Sequence, residues 1–217
     1  MAIGREQPVE KMEENMDRRH WIFASTACLA TLVFGVVAFA GDFNSKVSVG
    51  DVGAGFQNLD GVDGKTHSSD DYKAAKVLVL CFTCNHCPVA VAYEDRFIEF
   101  AKEYQSKDVA FVAINVNNGA ADKLPAMKQR AQAKGFTFPY LYDPSQASAR
   151  AYGATCTPHL FVLCAERKIA YMGAFDDSNN ADRAKKHFVK DAVDSLLAGK
   201  KPAVTETRQR GCSIKYD

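Results

Sequence analysis

The run Val77-Leu-Val-Leu-Cys-Phe-Thr-Cys-Asn-His-Cys-Pro-Val89 leaves the chain few ways to fold. Val77 to Phe82 is apolar without alternation, which suits a strand covered on both faces. Two cysteines follow as Cys84-Asn-His-Cys87, then Pro88 and a helical pattern. The order is buried strand, tight loop, first turn of a helix. In that context a C-x-x-C is the usual form of a dithiol redox site.

Two intervening residues let both sulfurs meet across the first helical turn. Placed at the open N-terminus of that helix, Cys84 gains from unpaired N–H groups and the helix dipole, which stabilise a thiolate. Cys84 is therefore read as the nucleophile and Cys87, one turn in, as the resolving thiol. Pro88 lacks an N–H and costs little there. His86, charged or hydrogen-bonding, would favour the thiolate further. The rival reading is a metal site, since C-x-x-C is half of a zinc set, but the chain has no separate second pair outside the run Cys81 to Cys87.

At 217 residues the chain suits one well-packed domain. A net charge of +1 gives no sign of a nucleic-acid groove. Seven cysteines are too few and too unevenly placed for a disulfide scaffold, yet many for a cytosolic enzyme. Residues 21–40 carry no charge and end in Ala38-Phe-Ala40, a small-x-small cleavage pattern that would leave Gly41 as the mature start. The preceding 20 residues hold five acids against four bases, a poor n-region; a start at Met16 would supply Met-Asp-Arg-Arg-His instead. Residues 1–40 are thus read as a signal peptide or an N-terminal membrane anchor. Either puts the domain in an extracytoplasmic place, periplasmic or secreted. Cys28 lacks the apolar residues that a lipoprotein site needs before it.

Residues 41–54 read as an arm. Phe56 to Asp60 is expected as a short edge strand and Gly61-Val-Asp-Gly64 as a turn. After the cysteines, Val91, Phe97, Ile98, Ala101 and Tyr104 recur at helical spacing. Asp108 to Val116 is a second buried strand, and Leu124 to Lys134 a helix that Gly135 stops. Pro139 to Tyr142 is a short strand, followed by a short helix through Tyr152. His159 to Cys164 and Ile169 to Met172 form an antiparallel hairpin. A last helix is expected from about Ala181 to Leu197, ended by Gly199. Residues 41–199 make an α/β domain with crossover connections, and residues 200–217 a polar C-terminal tail.

Three features together carry a family resemblance: Phe-Thr-Cys84-Asn-His-Cys87-Pro, Thr157-Pro158 before a strand, and Tyr171-Met-Gly-Ala-Phe-Asp-Asp177 after the hairpin. Over roughly residues 48–198 the chain resembles the thioredoxin-like superfamily, nearest to the extracytoplasmic redoxins. These are grouped with thiol-disulfide oxidoreductases and the alkyl hydroperoxide reductase/thiol-specific antioxidant family. The resemblance implies a central mixed β-sheet flanked by helices. It implies a cis Thr157-Pro158 bond packed beside Cys84. It also implies that the backbone before this proline binds a substrate chain, so His86, Thr157 and Pro158 are the expected substrate-binding residues. Cys84 would attack a substrate disulfide and Cys87 resolve it, until a redox partner reduces the pair. Asn-His replaces the Gly-Pro of thioredoxin, and Phe82-Thr83 stands where thioredoxin has Trp. Aligned on Cys87, the threonine of a peroxiredoxin's Thr-x-x-Cys falls on Cys84, which counts against a dedicated peroxidase.

Cys156, two residues before Pro158, is a possible third thiol. Its alternatives are a small buried filler or a ligand with Cys84, Cys87 and His86 for copper or zinc. Cys81 reads as buried filler and Cys164 as structural. Cys212 would pair with Cys156 or with another chain. Asp176 and Asp177 read as a turn or cap, or else as a proton shuttle. Glu94 reads as an exposed charge or a remote proton relay. His159 is a structural or a binding residue.

The sequence is best read as that of a thiol-disulfide oxidoreductase. Cys84 and Cys87 exchange with protein disulfide or dithiol substrates and a redox partner. No cofactor and no nucleic acid take part, and membrane attachment is possible through residues 21–40. The alternatives are a copper- or zinc-binding chaperone and a peroxiredoxin-like thiol peroxidase with an antioxidant role.

Overall fold

The computed structural model describes residues 41–217. The readings of residues 1–40, including the export segment and Cys28, lie outside the described residues. Among the described residues no helix is long and apolar enough to cross a membrane.

The central strand is β3, Val77–Thr83, after the short strands β1 (Leu59–Gly61) and β2 (Thr66–His67). Every residue of β3 is buried. The period-two geometry of a strand divides them. Val77, Val79 and Cys81 join one core, and Leu78, Leu80 and Phe82 the other. This double coverage explains why the sequence shows no alternation. β3 pairs in parallel with β4 (Val109–Asn115), which pairs in parallel with β5 (Tyr140–Tyr142). On its other side β3 pairs antiparallel with β7 (His159–Leu163), and β7 with β8 (Ile169–Gly173). The seven-stranded sheet runs β2-β1-β5-β4-β3-β7-β8. A separate two-stranded ladder joins β6 (Cys156–Thr157) to β9 (Cys212–Ser213).

Among the described residues four α-helices flank the sheet: α1 Pro88–Tyr104, α2 Leu124–Lys134, α3 Ala147–Tyr152 and α4 Phe188–Leu197. On α1 the buried stripe is Ala90, Tyr93, Phe97, Ile98, Phe100 and Tyr104, with Glu94 among them; Val91, expected in it, is only part-buried. Phe97 meets Phe175 edge-on with ring centroids 5.1 Å apart, and Phe100 meets Phe111 at 5.7 Å. Gly135 ends α2 in the left-handed region at φ 66° and returns its N–H to Ala131 and Gln132.

Two expectations change. The last helix does not begin at Ala181. A single 3-10 turn, Ala181–Arg183, precedes an extended link, and α4 starts at Phe188. Nor do residues 200–217 leave the domain as a tail. Met172 N–H donates to Thr205 O and Thr207 N–H to Met172 O, Ile214 N–H reaches Thr155 O at 3.0 Å, and Ile214 is buried. The polar composition that suggested a tail serves instead to satisfy loop backbone. Gln146 Nε2 donates to Lys215 O at 2.7 Å, and Tyr216 OH to Ala154 O at 2.5 Å.

Candidate active site

β3 ends at Thr83 and α1 begins at Pro88, so the C-x-x-C loop spans the gap between them. The helix cap is Cys87, not Cys84. Cys87 has extended φ/ψ of −76° and 118°, and its sulfur accepts the Ala90 N–H at 3.5 Å. Cys84 stands one residue past the strand. The backbone N–H it accepts is that of the cap residue Cys87. The proline at the first helical position fixes this register, because it removes the donor there and leaves the cap to the preceding residue.

Both thiols are buried, Cys84 at 2% and Cys87 at 0% exposure. Both touch Thr157: Cys84 Sγ lies 3.0 Å from Thr157 Oγ1, and Cys87 Sγ 3.2 Å from Thr157 O. The Thr157-Pro158 bond is cis. The resemblance therefore correctly brings Cys84, Cys87, Thr157 and Pro158 together.

The two sulfurs sit in different electrostatic surroundings. Burial pushes the Cys84 thiol up to about 12; the Asp122 and Cys87 charges add to this, against hydrogen bonds from Thr157 and the Cys87 N–H. Burial also pushes Cys87 upward. The Cys212 thiol and the amides of Ala90, Cys212 and Val89 outweigh it, and Cys87 falls below the ordinary thiol value. Of the two sulfurs, Cys87 is the one whose surroundings favour the charged form; as a thiol it donates to Thr157 O.

His86 does not face a sulfur as a donor. Its Nδ1 is held by Asp122, a carboxylate at 1% exposure. The other Asp122 oxygen accepts the Asn85 N–H at 2.8 Å and the Asn115 amide at 3.2 Å. Tyr140 OH closes the set by donating to Asn85 Oδ1 at 2.9 Å. Asp122 thus pins the loop between the cysteines. It had no signature in the sequence, because it comes from a 3-10 turn after β4 with no motif around it.

The metal reading changes likewise. Among the described residues the donor atoms brought within 4.8 Å of one another belong to Cys84, His86 and Asp122, not to Cys84, Cys87, Cys156 and His86. Nδ1 of His86 is engaged by Asp122 and Cys84 Sγ by Thr157 Oγ1, so hydrogen bonds account for the arrangement.

Cys156 is buried, and burial pushes it up to about 12. Cys212 lies opposite Thr157 in the ladder, and Cys156 opposite Ser213. Cys212 packs against the cluster of Cys84, Cys87 and Ala90 and gives its N–H to Cys87 Sγ; of the two pairings open to it, the one with Cys156 is not formed, and both thiols are free. Cys81 is buried as expected, at 0% exposure. Glu94 is neither exposed nor a relay: Arg130 grips both of its oxygens, at 2.8 and 2.7 Å. Asp176 is buried between Arg96 and Tyr93 OH, while Asp177 caps the Lys185 and Lys186 amides. His159 lies tilted against Phe161 with ring centroids 4.5 Å apart, and its Nδ1 has no partner among the described residues.

A parallel-and-antiparallel sheet flanked by helices, with a C-x-x-C after the central strand and a cis proline beside it, defines a thioredoxin-like α/β protein. A family model described as Redoxin matches residues 44–187, and the chain belongs to the redoxin family. A hypothetical protein from Sinorhizobium meliloti 1021 is 33% identical, over 80% of this chain and 97% of that one, with TM-score 0.74. An uncharacterized conserved protein from Geobacillus kaustophilus is 34% identical over 80% and 95%, with TM-score 0.75. A thiol:disulfide interchange protein of the thioredoxin family from Chlorobium tepidum TLS is 23% identical over 61% and 91%, with TM-score 0.52, a likeness of fold. No curated protein matches the chain.

Proposed function

We propose that this redoxin is a thiol-disulfide oxidoreductase whose working pair is Cys84 and Cys87, with Cys87 as the attacking thiolate. The observation that carries the reading is the pair of contacts from both sulfurs to Thr157, beside the cis Pro158. Two thiols held on one backbone unit are poised to form and break a disulfide with little rearrangement, and unequal acidities give the exchange a direction of attack. Thr157, Pro158 and the Asp122-held His86 would line the approach of a protein disulfide. A separate redox partner would return the pair to the dithiol. The apolar segment 21–40 would carry the domain past a membrane, and N-terminal sequencing of protein from native membrane and soluble fractions tests that.

The test of the chemistry is turnover of a protein disulfide such as insulin by the reduced protein. Cys87→Ser is expected to abolish it. Cys84→Ser is expected to keep the attack at Cys87 and so still form the mixed disulfide there. Turnover that survives Cys87→Ser would sink the assignment.

A second reading, thiol peroxidase, is favoured by the complete burial of Cys87 beneath donated N–H groups. A small hydroperoxide needs far less access than a protein disulfide. Hydroperoxide consumption that depends on Cys87 and outpaces disulfide exchange would select this reading.

A further inference from the structure

Residues 209–217 are strapped across the site at several separate points. Gln209 Nε2 donates to Thr155 Oγ1 at 2.9 Å. Cys212 and Ser213 add an antiparallel strand to Cys156–Thr157. Lys215 N–H donates to Asn117 Oδ1 at 3.1 Å, and Asp217 N–H to Gln146 Oε1 at 2.9 Å. Gly211 passes so close to β6 that a Cβ there would lie 2.0 Å from Thr157 O. The strap is therefore seated in one register, and that register sets Cys212 over the thiolate. Its N–H donates to Cys87 Sγ at 3.4 Å, its side chain packs on Cys84 and Cys87, and its thiol hydrogen-bonds to Cys87.

We propose that Cys212 is the resolving thiol of this site, delivered by the C-terminal strand to close a Cys87–Cys212 disulfide. The inference rests on the reading of Cys87 as the attacking thiolate. The Cys87 thiolate attacks one sulfur of a disulfide R–S–S–R, the R–S–S–R bond breaks, and the first RS− leaves and takes up a proton. A Cys87–S–S–R bond remains. The Cys212 sulfur then attacks the Cys87 sulfur, the bond to R breaks, and the Cys212 proton goes to the second departing RS−. Two protein thiols are oxidised and one disulfide is reduced to two RSH.

Cys84 is the competitor, and the environments favour Cys212. The hydrogen bond to Cys87 is the first cause that raises the Cys212 thiol, followed by burial and the Cys87 charge. The hydrogen bond and the charge both end once Cys87 enters a mixed disulfide, which frees Cys212 to ionise. The main cause that holds Cys84 protonated is its own burial, which does not change with the state of Cys87.

The experiment treats the reduced full chain with limiting oxidised glutathione, quenches by alkylation, and maps disulfides by proteolysis and mass spectrometry over time. A Cys87–Cys212 crosslink is expected as the first internal disulfide, retained in Cys156→Ser. Its loss, with accumulation of glutathione on Cys87, is expected in both Cys212→Ser and Cys212→Ala. A Cys84–Cys87 disulfide that forms equally fast in the wild-type chain and in both Cys212 variants overturns the inference and leaves the proposed function standing. Absence of both glutathione and any crosslink at Cys87 overturns the two together.

Discussion

The Cys87 sulfur accepts the backbone N–H of Cys212 at 3.4 Å, across 125 residues of sequence. A helix cap and a remote strand thus converge on one sulfur. A direct prediction concerns acidity. Ultraviolet titration of the thiolates should show one group ionising below the ordinary thiol value; Cys87→Ser should remove it and Cys84→Ser keep it. Because its folded value is depressed, Cys87 adds stability above its unfolded value, and that stability is lost as pH falls through the folded one. Cys84 has the opposite sign. Its folded value near 12 means that stability falls as pH rises from 9.0 toward 12. Cys84→Ala should flatten that alkaline limb by about 1.4 kcal/mol per pH unit, measured by urea unfolding.

Gly211 tests whether the strap controls access. An alanine there meets Thr157 O at 2.0 Å, and backbone cannot give way cheaply. Overpacking of about 1–3 kcal/mol should bias the strand toward release. Alkylation of Cys87 by iodoacetamide is then expected to accelerate roughly tenfold or more, with the global unfolding midpoint little changed. An unchanged rate in Gly211→Ala would mean that the strand does not limit access.

His159 predicts the acid limb. Burial holds its imidazole down to about 3, and no partner supports a charge at Nδ1. A base with a depressed folded value costs stability as pH falls from about 6.5, where the unfolded residue protonates, toward 3. His159→Phe should remove a slope of about 1.4 kcal/mol per pH unit in that window. Neutral-pH stability should hold or rise, since the ring contact with Phe161 is kept. An acid limb unchanged by the substitution would show that His159 does not titrate with unfolding.

What the sequence could disclose followed the range of each signal. The unalternating β3 run, the stop at Gly135 and the proline after Cys87 are local and were readable, as was the cis Thr157-Pro158 through resemblance. The cap falls at Cys87, three residues beyond the expected Cys84, because helical pattern does not say which residue caps and only Pro88 carries that information. Asp122 and Cys212 reach the loop from 37 and 125 residues away, with nothing periodic near them. Glu94 looks like a surface acid by composition. Its partner Arg130 lies on α2, so its burial follows from the packing of two helices rather than from either pattern.

Arg96 and Asp176 provide the last test, of what holds α1 beneath the site. The Arg96 side chain is 14% exposed and that of Asp176 1%. The guanidinium stacks over Tyr93 at 3.9 Å, bonds Asp176, and donates to Ser178 O at 2.8 Å and Asn179 O at 2.9 Å. It thereby ties the middle of α1 to the loop after β8. Arg96→Met keeps much of the stem but leaves the Asp176 carboxylate buried with Tyr93 OH as its remaining side-chain donor. Removal of one partner of a buried pair costs about 3–5 kcal/mol, more than the pair itself gains over apolar packing. The variant should unfold at a correspondingly lower urea concentration. The double variant Arg96→Met with Asp176→Leu should recover most of the loss, since no unpaired charge then remains. No recovery would mean that the backbone contacts of Arg96, rather than its charge, fix the loop. Thiol exchange by the folded fraction should be unaffected in either variant, because neither residue touches the sulfurs.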